Sequence, residues 1–349
     1  MLTAIAITLI IIAICVSYDI VHPPILQSYE VMEVKPVILQ QTCSQVPTKK
    51  SETILGMYNI SVRKLDDGYS GLIRGCTWNG CLNNNESPSF SYPYRVKLDS
   101  TGTVTELERI ELNYNNLIHC TNKFRNVYAN GIEDPKLFIF RGEEWVIANC
   151  LGSDQQEHPC VNTMCIFKLS NANETFKLLK SPPSIDPLQA QKNWSPFEWN
   201  NKLLCEYTLQ PHVILEINVD TGATMQLYNT GISSNNILFG NSLRGGAPSI
   251  IIETNIGPIY LAIGHTRVSR TTGYLHFFYT FEAEPPFSII DISPFFKFDK
   301  IETIQFAAGL SQQNNSIYVS YGVNDCSNRI ANYDINDIFG LLKQHVETS

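Results

Sequence analysis

Short β-patterned runs, each closed by turn chemistry, recur from about residue 54 almost to the end of this 349-residue chain. Examples are YRVKLDSTGTV (94–104), KLFIFRGEEWVIANC (136–150), HVILEINVDTGATMQLY (212–228) and GPIYLAIGHTRV (257–268). In two of them, Asp-Ser-Thr-Gly at 99 and Asp-Thr-Gly at 220 interrupt the strand pattern with residues that favour a turn. Polar motifs begin near Arg74, Glu133, Lys192, Arg244 and Phe306, roughly 50 to 60 residues apart. A unit of four short strands has about that size in β-propellers, and five such units use up residues 54 to 330. The pattern predicts an all-β fold, a five-bladed β-propeller, with a β-sandwich pair as the alternative architecture. One convincing helix is expected, in the C-terminal YDINDIFGLLKQHVE, where it would cap the fold.

The N-terminus is different in kind. Residues 2–16 (LTAIAITLIIIAICV) are apolar and uncharged, whereas crossing a bilayer takes roughly 20 residues and about 17 at the least. The run reads as a signal peptide or a short signal-anchor. Cys15-Val16-Ser17 offers a small-x-small cleavage site, although no Lys or Arg precedes the run. A buried core strand is the remaining alternative. Residues 1–18 are therefore set apart as signal or anchor. Residues 19–53, rich in Pro, Val and Gln, are read as a stem or embracing arm, and 54–349 as the propeller domain.

In an exported chain, disulfides are the default state of the cysteines, and Cys76–Cys81 and Cys160–Cys165 are spaced to close small loops. No CxxC pair occurs and the seven histidines are scattered, so no metal or other cofactor is expected. Five Asn-x-Ser/Thr sequons, at Asn59, Asn85, Asn173, Asn193 and Asn314, fit a lumenal chain of the secretory pathway, secreted or held by a single-pass membrane anchor. Asn193 lies inside a motif and is not expected to carry a glycan.

A net charge of −8 removes the basic footprint of a nucleic-acid binder. The 16 Tyr and 17 Phe suit a β-rich fold, or a site that stacks against sugar rings. In a propeller the innermost strands begin near the central axis, so polar residues at their starts converge. The candidates are GIEDPKLF (131–138), KNWSPF (192–197) followed by CEYTLQPH (205–212), LRGGAPS (243–249), GHTR (264–267) and YGVND (321–325). Each has a plainer reading: a surface turn with a packing Trp at 192–194, a positive-φ loop at Arg244-Gly245-Gly246, a core histidine at His265, a self-bonding turn at Asp325. Together they place one acid group and one basic group in a chain with few charges. Glu133 and Asp134 are adjacent in an extended chain, so alternation sends their side chains to opposite faces and they are not expected to act as a catalytic pair.

Glycosyl transfer needs a carboxyl group beside the bridging oxygen and stabilisation of an oxocarbenium-like centre. One acid suffices if Arg244, His265 and Arg267 hold a phosphate, as nucleophile or as part of a leaving group. With these residues assembled, the chain resembles the five-bladed β-propeller carbohydrate enzymes of glycoside hydrolase family 130, the mannoside phosphorylases, and glycosyltransferase family 108, the β-mannosyltransferases. The motifs GIEDPKLF, KNWSPF, LRGGAPS, GHTR and YGVND carry the resemblance across roughly residues 70 to 325.

The resemblance implies that Asp134 is the proton donor, that Lys192, Arg244, His265 and Arg267 hold phosphate, and that Asp325 lies near the sugar of the donor subsite. Arg74, Glu133, Asn193 and His212 complete the expected substrate-binding set. Lys136 departs from the family, which has Arg after the proline; lysine keeps the charge but loses the bidentate fork. The apolar N-terminus and the sequons suit a lumenal transferase better than a soluble phosphorylase. The expected function is inverting glycosyl transfer to or from a phosphate-bearing donor, a sugar nucleotide or sugar phosphate, mannosyl-type by resemblance, with a carbohydrate acceptor. The alternatives are an inverting hydrolase in which Asp325 or Glu206 activates water, and a glycan-binding propeller without catalysis.

Overall fold

The computed structural model describes residues 30–34, 54, 56–77, 89–112, 129–152, 161–185, 189–231, 243–269, 273–299, 302 and 304–343. The apolar run 2–16, Asn85 and the cysteines at 43, 81, 120 and 160 lie outside these. Among the described residues, no helix is long and apolar enough to cross a membrane.

In chain order the strands are β1 (Glu30–Val34), β2 (Gly56–Leu65), β3 (Gly68–Cys76), β4 (Ser89–Asp99), β5 (Val104–Arg109), β6 (Ala129–Phe140), β7 (Glu143–Gly152), β8 (Val161–Lys168), β9 (Lys177–Leu178), β10 (Ser195–Trp199), β11 (Lys202–Leu209), β12 (His212–Ile217) and β13 (Thr224–Thr230). They continue with β14 (Arg244–Gly245), β15 (Ile250–Thr254), β16 (Gly257–Ser269), β17 (Gly273–Glu282), β18 (Ile289–Ile292), β19 (Gln305–Gln313), β20 (Ser316–Val323) and β21 (Ser327–Asp334). The four β-runs anticipated from sequence all form strands, and they break where the turn residues stand. Asp99 Oδ1 accepts the amides of Thr101 and Thr103 at 2.8 and 3.0 Å. Asn218 Oδ1 does the same for Asp220 and Thr221, and Gly222 completes that turn at φ +71°.

The strands form antiparallel meanders, β2–β5, β6–β9, β10–β13, β14–β18 and β19–β21. A short parallel pairing, Ser89–Ser91 with Ala129–Gly131, joins the first two into one eight-stranded sheet. β1 lies within the segment read as a stem or arm, and it pairs antiparallel with β21 at the edge of the last sheet. Successive meanders pack against one another: β2 against β6, β6 against β10, β14 against β11, β16 against β19, and β19 back against β2.

Side chains of one meander satisfy the edge amides of the next. Ile60 N donates to Asn328 Oδ1, Val62 N to Ser320 Oγ, and Leu137 N to Ser61 Oγ, each at 3.0 Å. These bonds give partners to edge amides where the first meander meets the last and the second. Between the sheets lie aromatic layers, such as Phe278, Phe296, Phe298, Tyr321 and Tyr333, against which the C-terminal helix Ile335–Lys343 sets Ile338 and Leu342. That helix begins where Asp334 Oδ1 accepts the amide of Asn336.

Two expectations are corrected. Cys76 and Cys165 are free and buried, so neither the Cys76–Cys81 nor the Cys160–Cys165 loop forms. Both thiols sit inside strands, Cys76 beside Ser91 Oγ and Cys165 in the core with Cys150, and are spent on packing. Cys326 is disulfide-bonded. The sequon at Asn59 is not a surface tripeptide, because Asn59 is 4% exposed. Asn173 and Asn314 are exposed.

Candidate active site

Alternation fails at the acid pair. The register of β6 against β7 shifts between Glu133 and Lys136, and Asp134 takes a left-handed backbone, φ +50°. This bulge turns the two carboxylates towards the same guanidinium, correcting the expectation that they face opposite ways. Arg74 on β3 donates from Nη1 to Asp134 Oδ1 and from Nη2 to Glu133 Oε1, both at 3.2 Å, and from Nε to Ser91 Oγ at 2.9 Å. The guanidinium is buried, yet Glu133, Tyr58 and Asp134 outweigh that burial and push it above its ordinary value.

The two acids are held differently. Glu133 is occupied at both oxygens: Oε1 by Arg74, Oε2 by Asn149 Nδ2 at 2.7 Å and Lys192 Nζ at 3.2 Å. Asp134 Oδ1 accepts from Arg74 and from Asn59 Nδ2, the latter at 2.6 Å. Asp134 Oδ2 has no donor among the described residues. Asp325, at φ +52°, completes the acid end. Burial pushes its carboxyl up to about 6; Arg74 pulls it down while Asp134 and Glu133 add to the rise.

The basic motifs meet on the neighbouring strands. Arg244 on β14 pairs in register with His265 on β16, and Asn193 Nδ2 lies 3.3 Å from His265 Nε2. Burial, then the charges of Lys136 and Arg244, lower His265 to about 3, so near neutral pH it is an uncharged ring rather than a third cation. Arg267 is exposed and lies over the Tyr274 ring, 5.8 Å from its centroid. Neither Arg244 nor Arg267 has a carboxylate partner among the described residues. Lys192 is instead paired with Glu133, so acids and cations interleave rather than forming two separate groups.

Lys136 is 1% exposed, and its Nζ donates to the carbonyl of Trp194 at 2.9 Å. His212 and Glu206 are also enclosed, at 0% and 1% exposure. His212 Nδ1 donates to the Phe287 carbonyl at 2.9 Å, which leaves Nε2 and Glu206 Oε1, 2.9 Å apart, to share one proton. Ser249 and Tyr279 hydroxyls donate to the same carboxyl group. This pair is buried between the third and fourth meanders, with partners on both. The structure thus gathers Arg74, Glu133, Asp134, Lys192 and Asp325 at one end and Asn193, Arg244, His265 and Arg267 beside them, with His212 set apart inside the core.

Sequence reasoning passed over Asn59, Asn149 and Tyr274. Tyr274 stands between the two ends: its ring meets His265 edge-on, and burial, with the charges of Asp134 and Asp325, pushes its hydroxyl upwards against the pull of Arg267. The available signal was an Asn or Asp recurring at the opening of a unit's first strand. Asn59, Asp134 and Asn193 all have left-handed backbones there, a conformation these side chains tolerate.

No protein-family model matches the chain, and no curated protein matches it in sequence. Its fold is similar to several solved structures. One, with 14% identity and a TM-score of 0.58, covers 90% of this chain and 96% of that one. It comes from work on the GH130 family of mannoside phosphorylases and its glycoside hydrolases that target β-1,2 mannosidic linkages in Candida mannan. A glycosyl hydrolase from Bacteroides ovatus has 16% identity and a TM-score of 0.55 over 88% of this chain and 95% of that one. The β-1,2-mannobiose phosphorylase of Listeria innocua has 15% identity and a TM-score of 0.55 over 85% and 95%. At these identities the likeness is one of architecture: the chain has a GH130-like fold.

Proposed function

We propose that this chain is a carbohydrate-active enzyme that performs inverting glycosyl transfer to or from a phosphate-bearing species. The carrying observation is the asymmetry of the acid pair. Glu133 is saturated, while Asp134 has one oxygen fixed by two donors and the other without a described partner. In this reading Asp134 delivers a proton to the bridging oxygen as the glycosidic bond breaks, and a phosphate oxygen bonds to the anomeric carbon from the opposite face. Arg244 and Arg267 neutralise the phosphate, and Tyr274 lines the space between them and the acid. The names of the fold neighbours support carbohydrate and phosphate as ligands and a mannosyl unit as the first sugar to test.

The architecture is read as a five-bladed propeller, with the eight-stranded sheet divided at its parallel pairing and β1 completing the last blade. A sugar-nucleotide donor, a secretory location and a membrane anchor rest on the apolar run 2–16 and on the exposed sequons at Asn173 and Asn314. The test is a donor screen of sugar nucleotides and sugar 1-phosphates with an Asp134→Asn control. Turnover should fall by roughly 10²- to 10⁴-fold in the variant, with folding and ligand binding intact. Undiminished turnover would remove Asp134 from its role. A second reading, inverting hydrolysis, is favoured by the raised Asp325 carboxyl, which suits a base acting on water; Glu206 is too enclosed for it.

A further inference from the structure

We propose that Asn59 is the positioning residue of Asp134 and decides which carboxyl oxygen carries the transferable proton; this rests on the reading of Asp134 as the proton donor. Asn59 stands on β2, in a different meander from the acid it serves. Its amide and Arg74 Nη1 both donate to Asp134 Oδ1. An oxygen that already accepts two donor hydrogens is a poor place for a third, so the acidic proton is left to Oδ2. Arg74 cannot make that choice alone, because its guanidinium is divided between Asp134, Glu133 and Ser91.

Asn59 is itself fixed on three sides. It sits in the β2 bulge at φ +56° and is 4% exposed. Its Oδ1 packs where a Cβ on Gly322 would lie, only 1.9 Å away, so β20 must have glycine there. Two residues on, Ser61 Oγ accepts the Leu137 amide just beyond the acid pair. The tripeptide Asn59-Ile60-Ser61 matches a glycan acceptor, yet both polar side chains are committed to β6. When the proton leaves Oδ2 for the bridging oxygen, the resulting carboxylate stays anchored through Oδ1 to Asn59 and Arg74.

Asn59→Gly deletes the donor, Asn59→Asp replaces it with a carboxyl that must share a proton with Asp134, and both tolerate the left-handed backbone. Each is compared with the unaltered chain on two donors of the same glycosyl unit, one with a sugar leaving group and one with 2,4-dinitrophenolate, which departs without protonation. The sugar-leaving donor should slow by about 10²-fold or more, and the dinitrophenyl donor by less than about threefold. Equal losses on both donors, or none on either, overturn the proposal. A crystal structure of each variant supplies a readout that needs no turnover. The Asp134 carboxyl should move by more than about 0.5 Å, beyond the tolerance of a working acid. An unmoved carboxyl in both variants also overturns the proposal. If the unaltered chain processes neither donor, the functional reading fails on that result alone, and the crystal structures still decide the role of Asn59.

Discussion

Lys136 Nζ donates to the backbone carbonyl of Trp194 at 2.9 Å, across the boundary between the second and third meanders and away from solvent. Burial lowers this lysine to about 8, against the opposing charges of Cys205, Asp134 and Glu206. The unfolded chain therefore binds the proton more tightly between about pH 8 and 10.5, and stability attributable to Lys136 rises with pH across that window, by up to about 3 kcal/mol. Below pH 8 the lysine is charged in both states and the slope vanishes. Urea unfolding of Lys136→Met from pH 7.5 to 10.5 should lack this rise; an unchanged slope would show that the ammonium is not desolvated.

Asp325 has the opposite sign. Its folded carboxyl sits at about 6 against an ordinary 3.8, so between those values the folded chain holds the extra proton. Stability should fall by up to about 3 kcal/mol as pH rises through that window, and Asp325→Asn should flatten the curve. Asn is comfortable at the same left-handed φ, so the substitution adds little strain. Chemical denaturation between pH 3.5 and 7 measures both curves.

Arg267 has no carboxylate partner among the described residues and lies on an exposed face. Replacing it with Ala should weaken a phosphate-bearing ligand by about tenfold or more while changing a neutral sugar by less than about twofold. Titration calorimetry with inorganic phosphate and with a free hexose makes the comparison. Equal losses would argue against an anion site.

Arg74 is the shared partner of two carboxylates that both point inwards. Arg74→Met should cost about 3–5 kcal/mol in urea unfolding, because the acids lose their counter-charge. Adding Glu133→Gln should recover part of the loss, giving a coupling of about 1 kcal/mol or more. Strict additivity would mean that the ion pair contributes nothing separable.

The chain declared its strands and turns clearly, since Asp99 and Asn218 bond their own loops and the apolar runs between them have a two-residue period. It also placed Glu133, Asp134, Lys192 and Arg244 at strand openings, where neighbouring meanders meet. The same two-residue rule misled at Glu133 and Asp134, because a bulge is invisible to a pattern that assumes regular pleating. Charge counting likewise misread His265, whose state is set by burial and by Lys136, a residue on another strand. The sequon at Asn59 followed a true motif to the wrong meaning, since only packing against Gly322 and Asp134 excludes it from the surface.

β1 and β21 are paired, although the N-terminal and C-terminal parts of the chain supply them, and β2 takes side-chain bonds from Ser320 and Asn328 more than 250 residues away. Until β20 and β21 have been made, the first meander has no partner to receive those amides. The early sheets can form as they emerge, but the first and last join only once β20 and β21 are available. Completion of the fold is therefore a late event, of the kind expected when long-range pairings dominate. Until it happens, Asn59 has no Gly322 to rest against, so the acid it steadies becomes fully seated only in the finished molecule.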